Sequence, residues 1–418
     1  MVLAGHDVSA GGLLTCLLEM CFANVQGGIQ LRKHVLDQIA PADPVGALFS
    51  EYPGVVVQVP VEHAHEALGM LLANNVVSYL LGTPSAGRYL TVDDTLSFDI
   101  DRLRNLWYNP SYLMDKRQSH PEKALERYNH YGTLPLTYQF PKLFTGQIEP
   151  EQTVRQETPS GASAQQPIAA VIREKGSQSE REMAWMLHLA GFKVRDVHME
   201  DLISGTETLD TVKLIVFAGG SAHADVFGSA KGWAGAFLYN RKAKDALERF
   251  YAREDTLSLG VCNGCQLMMH LGLVTSCNVE SSPKMMPNDS GKFECSFVNV
   301  EVEESPSIFL KGLEGSRLGS WIAHGEGKFH FPKDTLERTE HYRVAMRYSY
   351  DAYPANPNGS PGRVAAVTSA CGRHLAMMPH PERSLYPWNW GYYPPERWAD
   401  DISPWLSLFT EALKFCNE

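Results

Sequence analysis

The chain has 418 residues, 44% of them hydrophobic and 20% charged, the make-up of a soluble globular protein long enough for two domains. A net charge of -11 with no basic cluster argues against nucleic acid as a partner, and no apolar run reaches the 18 or so residues a membrane helix needs. Eight irregularly spaced cysteines, with no signal-peptide pattern ahead of them, suggest reduced thiols and a cytosolic setting.

Met1 to Asp7 runs directly into His6-Asp7-Val8-Ser9-Ala10-Gly11-Gly12, and Leu13 to Phe22 follows with Leu13, Leu14, Leu17 and Leu18 on one helical face. On residues alone, His6 to Ser9 reads as a loop with a helix N-cap. A chain that opens inside a motif is expected to be the C-terminal part of a longer polypeptide. Gly54 to Val59 reads as a strand, Glu62 to Asn75 as an amphipathic helix, and Val76 to Leu81 and Leu90 to Val92 as further strands. Asp99 to Trp107 and Pro121 to Tyr131 have helical character, and Pro150 to Pro167 has the composition of a linker. These features divide the chain into an α+β piece over 1-108, a helical segment and linker over 109-166, and a second domain over 167-418.

The second domain opens with the buried-type strand Ile168 to Ile172. Helix Arg181 to Ala190 and strands Lys193 to Val197 and Leu214 to Ala218 come next, an alternation that predicts a doubly wound, mostly parallel α/β sheet. Sites in such sheets lie beyond the carboxyl ends of the strands. Both Gly219-Gly220 and Cys262 fall at such ends. Gly219-Gly220 alone reads as a turn, and Gly228 to Trp233 lacks the spacing of a phosphate loop.

Thr256 to Val261 leads into Cys262-Asn263-Gly264-Cys265-Gln266, the order of strand, tight elbow and helix. At such an elbow a thiol projects from the sheet end and helix N–H groups favour its thiolate. Gly260 and Gly264 relieve crowding on either side. The C-x-x-C spacing also fits a redox pair, half of a zinc site or a purely structural cysteine. Downstream, Met377-Met378-Pro379-His380-Pro381-Glu382 ends a strand-like run, and alternation would point His380 and Glu382 the same way. This supplies a base with an orienting carboxylate. His324 competes for the role of base, but no carboxylate stands two residues beyond it on a strand; His324 and Glu326 are read as shaping the site. The aromatic block Tyr386 to Trp398 reads as a packed surface wrap, and Asp401 to Cys416 as a closing helix.

Gly260-Val261-Cys262-Asn263-Gly264-Cys265-Gln266 together with Met378-Pro379-His380-Pro381-Glu382-Arg383 resembles the class I, or triad, glutamine amidotransferases, in the form found in large phosphoribosylformylglycinamidine synthases. Ala170 to Glu174, Ala323 to Gly327, Tyr353 to Pro361 and Gly5 to Gly12 extend the likeness along the chain. The resemblance implies a Cys262-His380-Glu382 triad that hydrolyses L-glutamine through a thioester without a cofactor. It also implies oxyanion donors at the backbone of Gly220 and Asn263, with Gln266 helping to hold glutamine. The ammonia would serve ATP- and Mg2+-dependent conversion of formylglycinamide ribonucleotide to the amidine in purine biosynthesis, with Asp7 binding metal and Ser9 nucleotide on an AIR-synthetase-like domain whose partner repeat lies outside this chain. Departures from the family pattern occur at Ala10, at Ser221 to His223 and at Ser296. They motivate a rival reading: a catalytically silent relative serving as a scaffold or viral structural protein.

Overall fold

The computed structural model describes residues 2–148, 166–275, 283–332 and 340–418. The expected linker, Pro150 to Pro167, lies outside them except for its last two residues. The chain forms two compact units, Met1–Arg117 and Gln118–Glu418.

In the first unit, β1 (Ala4–Val8) pairs antiparallel with β3 (Gly54–Gln58), while β2 (Gly28–Leu31) lies in a four-stranded sheet with β4 (Gly82–Ser85), β5 (Tyr89–Val92) and β6 (Leu96–Asp99). The leucine face expected after the opening motif is the core of this unit. Leu13, Leu14, Leu17 and Leu18 of helix Gly12–Phe22 pack with Leu31, Leu90 and Val92. Each such side chain removed from water contributes roughly 1.5–3 kcal/mol. Two expectations need correction. Val76 to Leu81 is not a strand: of this stretch only Leu81 O takes a bond from a neighbouring segment, the Arg32 N–H, among the described residues, and pairing with β2 starts at Gly82. The helix expected over Asp99 to Trp107 runs as Ile100–Gln118 and carries Pro110 inside it.

The second unit is built on a nine-stranded sheet in the order β13-β12-β15-β16-β17-β10-β9-β7-β8. Its parallel half contains β7 (Ile168–Arg173), β8 (Lys193–His198), β9 (Val212–Phe217), β10 (Leu257–Val261) and, further on in the chain, β17 (His374–Met377). β11 (Lys284–Met286) pairs with β14 (Lys328–His330) in a separate ribbon. β12 (Glu294–Val302), β13 (Arg317–His324), β15 (Tyr342–Tyr348) and β16 (Val364–Ser369) extend the large sheet antiparallel. Val261, Leu259 and Leu214 to Phe217 are fully buried, as strands covered on both faces must be. Helix Arg241–Ala252 shows the matching one-sided pattern, burying Ala243, Ala246, Leu247 and Phe250 at helical spacing.

Residues ahead of β7 also belong to this unit. Arg127 pairs with the buried Glu294, and Tyr138 and Phe140 pack their rings on Trp390. The aromatic block is packed only in part: Trp390 and Tyr393 are buried, while Trp388, Tyr392 and Trp398 are exposed. The closing helix begins at Ser407, after a turn of 3-10 helix at Pro404–Leu406.

Candidate active site

Three neighbouring strands of the parallel half, β9, β10 and β17, end at one edge of the sheet. Gly219-Gly220 follows β9, Cys262 follows β10, and His380 comes three residues after β17. Strand adjacency therefore gathers groups that are far apart in sequence.

Cys262 holds a left-handed backbone, φ 53° and ψ -107°, between β10 and helix Asn263–His270. Such a conformation is strained for a non-glycine residue and persists only when its surroundings fix it. Here its own N–H donates to Met377 O at 2.9 Å, tying the elbow to β17. The two glycines act as the sequence suggested. A Cβ on Gly264 would lie 2.1 Å from Phe217 O, and one on Gly260 would lie 2.5 Å from Gly264 O. The thiol is buried and its Sγ donates to Ala323 O at 3.3 Å.

His380 is not in a strand. β17 stops at Met377, and the Glu382 carboxylate returns to the imidazole through the 3-10 turn Pro381–Arg383 rather than by strand alternation. Proline at the first position of that turn fixes its backbone. His380 Nδ1 lies 2.6 Å from Glu382 Oε1, both side chains being buried. The carboxylate thus holds the proton on Nδ1. Nε2 has no hydrogen-bond partner among the described residues. Burial alone would lower the proton affinity of His380, but the Glu382 charge, and then Cys262, reverse this and raise it. Burial would likewise raise Glu382; the imidazole and the Ser179 hydroxyl bring it below its ordinary value. A Cβ on Gly219 would stand 2.8 Å from His380 Cε1 and 3.4 Å from Cys262 Cβ. Only glycine leaves room for imidazole and thiol side by side.

Asn263 and Gln266 form a buried network. Asn263 Oδ1 accepts the Ala222 N–H at 3.1 Å, and its Nδ2 donates to Gln266 Oε1 at 2.9 Å and to Asp225 Oδ1 at 3.3 Å. Gln266 Nε2 donates to Glu326 O at 2.8 Å. The backbone N–H groups of Gly220 and Asn263 have no acceptor among the described residues. Gly220, Cys262, Gln266, His324 and Glu326 line one cleft of about 370 Å³, the scale of a small-molecule site.

His324, the competing histidine, has an amide behind it instead of a carboxylate. Its Nδ1 donates to Asn288 Oδ1 at 3.2 Å, while Asn288 Nδ2 donates to His324 O and Lys292 O. Burial, and then the neighbouring His380, push His324 down to about 3, so it stays neutral. Cys265 is fully buried within the helix, its thiol pushed well up by that burial, and both cysteines of the C-x-x-C are free. No group of three or more His, Cys, Asp or Glu is placed to hold a metal among the described residues.

Asp7 and Ser9 lie in the first unit, at the end of β1 and just after it. The Asp7 carboxylate is 72% exposed, and the adjacent His6 is turned to Glu19, Nε2 to Oε2 being 3.1 Å. One exposed carboxylate does not make a magnesium site on its own. The helix that follows is capped by Gly11 without a side-chain bond, so Ser9 is not its cap. Asn288, Ser179 and the carbonyl of Ala323 escaped notice in the sequence; the last stands within a stretch that was picked out there for its family likeness.

Comparison with known proteins gives the family. Residues 166–416 match the CobB/CobQ-like glutamine amidotransferase domain, and residues 1–94 match the AIR synthase related protein, C-terminal domain. The chain is 40% identical over 447 aligned positions to phosphoribosylformylglycinamidine synthase of Homo sapiens, covering 100% of this chain and 32% of that protein. It is 39% identical to the probable chloroplastic/mitochondrial enzyme of that name from Arabidopsis thaliana, covering 99% and 30%. It thus spans about a third of the length of these relatives. A solved chain of PurLQS from Thermotoga maritima is 26% identical, with a TM-score of 0.46, covering 60% of this chain and 99% of that one. The chain belongs to the CobB/CobQ-like glutamine amidotransferase family and carries an AIR-synthase-related C-terminal domain ahead of its amidotransferase domain.

Proposed function

We propose that the second unit is a triad glutaminase in which Cys262 attacks the side-chain amide of L-glutamine. His380 takes the thiol proton at Nε2 and returns it to the departing ammonia, and Glu382 keeps the imidazole in the tautomer that leaves Nε2 free. The observation that carries this reading is the unpartnered, buried Nε2 of a carboxylate-backed His380 flanking the same glycine as the thiol. The backbone N–H groups of Gly220 and Asn263 serve the tetrahedral oxyanion, where one donor is worth about 3–4 kcal/mol. Water then releases glutamate from the thioester. Gln266 spends both ends of its amide on Asn263 and Glu326, which supports a role in shaping the glutamine cleft.

Within a longer polypeptide or complex, the ammonia would serve the ATP-dependent conversion of formylglycinamide ribonucleotide to formylglycinamidine ribonucleotide, the reading that the names of the relatives support. Asp7 and Ser9 are assigned to the metal and nucleotide of that step, with the remaining ligands supplied from outside the residues gathered here. The names of the relatives do not favour the rival scaffold reading, and a cysteine elbow beside a carboxylate-backed imidazole supports the enzyme instead.

The test is labelling with a glutamine-mimicking electrophile. Stoichiometric modification at Cys262, together with slow glutamine hydrolysis that vanishes in Cys262→Ala, is the expected result. No labelling, or glutamine turnover surviving in Cys262→Ala, would overturn the proposal.

A further inference from the structure

The loop that carries Gly220 is fastened along its length to the turn Glu174 to Gln178. Gln178 N donates to Gly219 O at 2.7 Å, Ser221 N to Gly176 O at 3.0 Å and His223 N to Lys175 O at 2.8 Å. The approach is so close that a Cβ on Gly220 would sit 2.6 Å from Gln178 N, and one on Gly176 would sit 2.4 Å from Ser221 O. Beyond this, His223, Ala224 and Asp225 are three successive non-glycine residues in the left-handed region, with φ of 55°, 54° and 53°. Side chains disfavour that conformation, so a run of three needs an external hold.

Glu174 provides one. Its carboxylate is buried; Oε1 accepts the Lys175 N–H at 2.7 Å, and Oε2 lies 3.4 Å from His223 Nε2. A second imidazole approaches from β8, with His198 Nε2 3.9 Å from Oε1. His198 Nδ1 accepts the Glu200 N–H at the start of the next helix, which leaves the proton on Nε2, facing Glu174. The ring of His223 also rests on Gly232, where a Cβ would come within 2.9 Å of it. The far end of the loop is held separately: Asp225 Oδ1 accepts from Asn263 Nδ2 and from Ala230 N, and Ala222 N donates to Asn263 Oδ1. The strained segment thus spans from Glu174 to the residue that follows the nucleophile.

Building on the glutaminase reading, we infer that Glu174 is a positioning residue for the oxyanion pocket. Through His223 it clamps the strained loop and sets the Gly220 N–H relative to that of Asn263.

The experiment compares steady-state glutamine hydrolysis with alkylation of Cys262 by iodoacetamide, in the full chain. Alkylation displaces iodide at a saturated carbon and forms no oxyanion, so it reports on the thiol without the pocket. Glu174→Ala is expected to lower kcat about tenfold or more with KM within about twofold, because a misplaced donor is felt in the transition state. The alkylation rate should stay within about twofold, and Glu174→Gln, which keeps an acceptor for the Lys175 N–H, should recover part of the loss. His223→Ala, at a half-exposed position, should lower kcat in the same sense and carries the test if Glu174→Ala does not fold. An unchanged kcat in both Glu174→Gln and His223→Ala, or a kcat that falls in step with alkylation, would overturn the clamp while leaving the glutaminase intact. An unaltered chain no more active than Cys262→Ala would instead remove the glutaminase reading, and the clamp with it.

Discussion

His380 Nδ1 and Glu382 Oε1 lie 2.6 Å apart, with neither side chain open to solvent. A hydrogen bond that short, in a setting of low dielectric, fixes both the ring orientation and the location of its proton. Replacing the carboxylate by an amide keeps the shape but not the tautomer. Glu382→Gln is therefore expected to lower kcat for glutamine hydrolysis by about 10³–10⁴ while Cys262 remains in place, the scale seen when the acidic member of such a triad is neutralised. Retention of more than a tenth of the activity would contradict the role.

The same pair shapes the dependence of stability on pH. His380 holds its proton more tightly in the folded protein than at the unfolded value of about 6.5, so its contribution is complete below that value and fades as pH rises through the higher folded one. Glu382 is shifted down from an unfolded value of about 4.3, so its contribution is complete above that and fades as pH falls through the lower folded one. The gap in melting temperature between the unaltered protein and Glu382→Gln should be widest near pH 5–6 and narrow in both directions. Calorimetry across the range measures it; a gap that does not vary would refute the coupling.

Gly219→Ala puts a methyl group 2.8 Å from His380 Cε1, against a side chain with buried neighbours. The ring must yield, and overpacking of this kind costs about 1–3 kcal/mol. Glutamine hydrolysis should fall at least a hundredfold, since a displacement of about 1 Å at a reacting group has that effect. Circular dichroism of the variant should still show a folded protein.

Gly264→Ala is a harsher change. Its methyl would meet a backbone carbonyl, Phe217 O, at 2.1 Å, and neither β9 nor the helix start can give way without breaking the sheet edge. Loss of soluble, folded protein, or a drop of 10 °C or more in Tm, is expected; an unaffected Tm would show that the elbow is looser than its contacts imply.

Gln266→Ala removes one of the two acceptors of the buried Asn263 Nδ2, which keeps Asp225 Oδ1, and the donor to the part-buried Glu326 O. Buried groups left unsatisfied cost about 1–3 kcal/mol each. Denaturant titration should register the loss, and the KM for glutamine should rise as the cleft wall relaxes.

The parallel half of the sheet could be read from the chain because its strands are short runs of buried apolar residues separated by helices with one-sided patterning, β7 and β9 being the clearest. Cys262 could be read because an elbow needs glycine at fixed places around it. The link from His380 to Glu382 was foreseen by a mechanism that the fold does not use: two residues apart suits a strand face, but a proline-led 3-10 turn brings the carboxylate back to the ring equally well. The antiparallel extension, β12 to β16, gives no comparable local signal, since it depends on pairings such as Glu294 with His324 that sequence spacing does not express. Gln266 could be placed in the cleft but not given partners, because those partners are a backbone carbonyl and an asparagine set by the tertiary fold.

β10 and β17 lie side by side although their reactive residues are separated by a long stretch of chain. The segment threaded between them nevertheless grips both, since Ala323 O accepts from the Cys262 thiol and Trp321 O accepts from the His380 N–H. A change in strand Arg317–His324 would therefore be felt at the sulfur and at the imidazole together, so refitting the proposed glutaminase to a new recipient of its ammonia is easiest in the intervening sequence outside that strand.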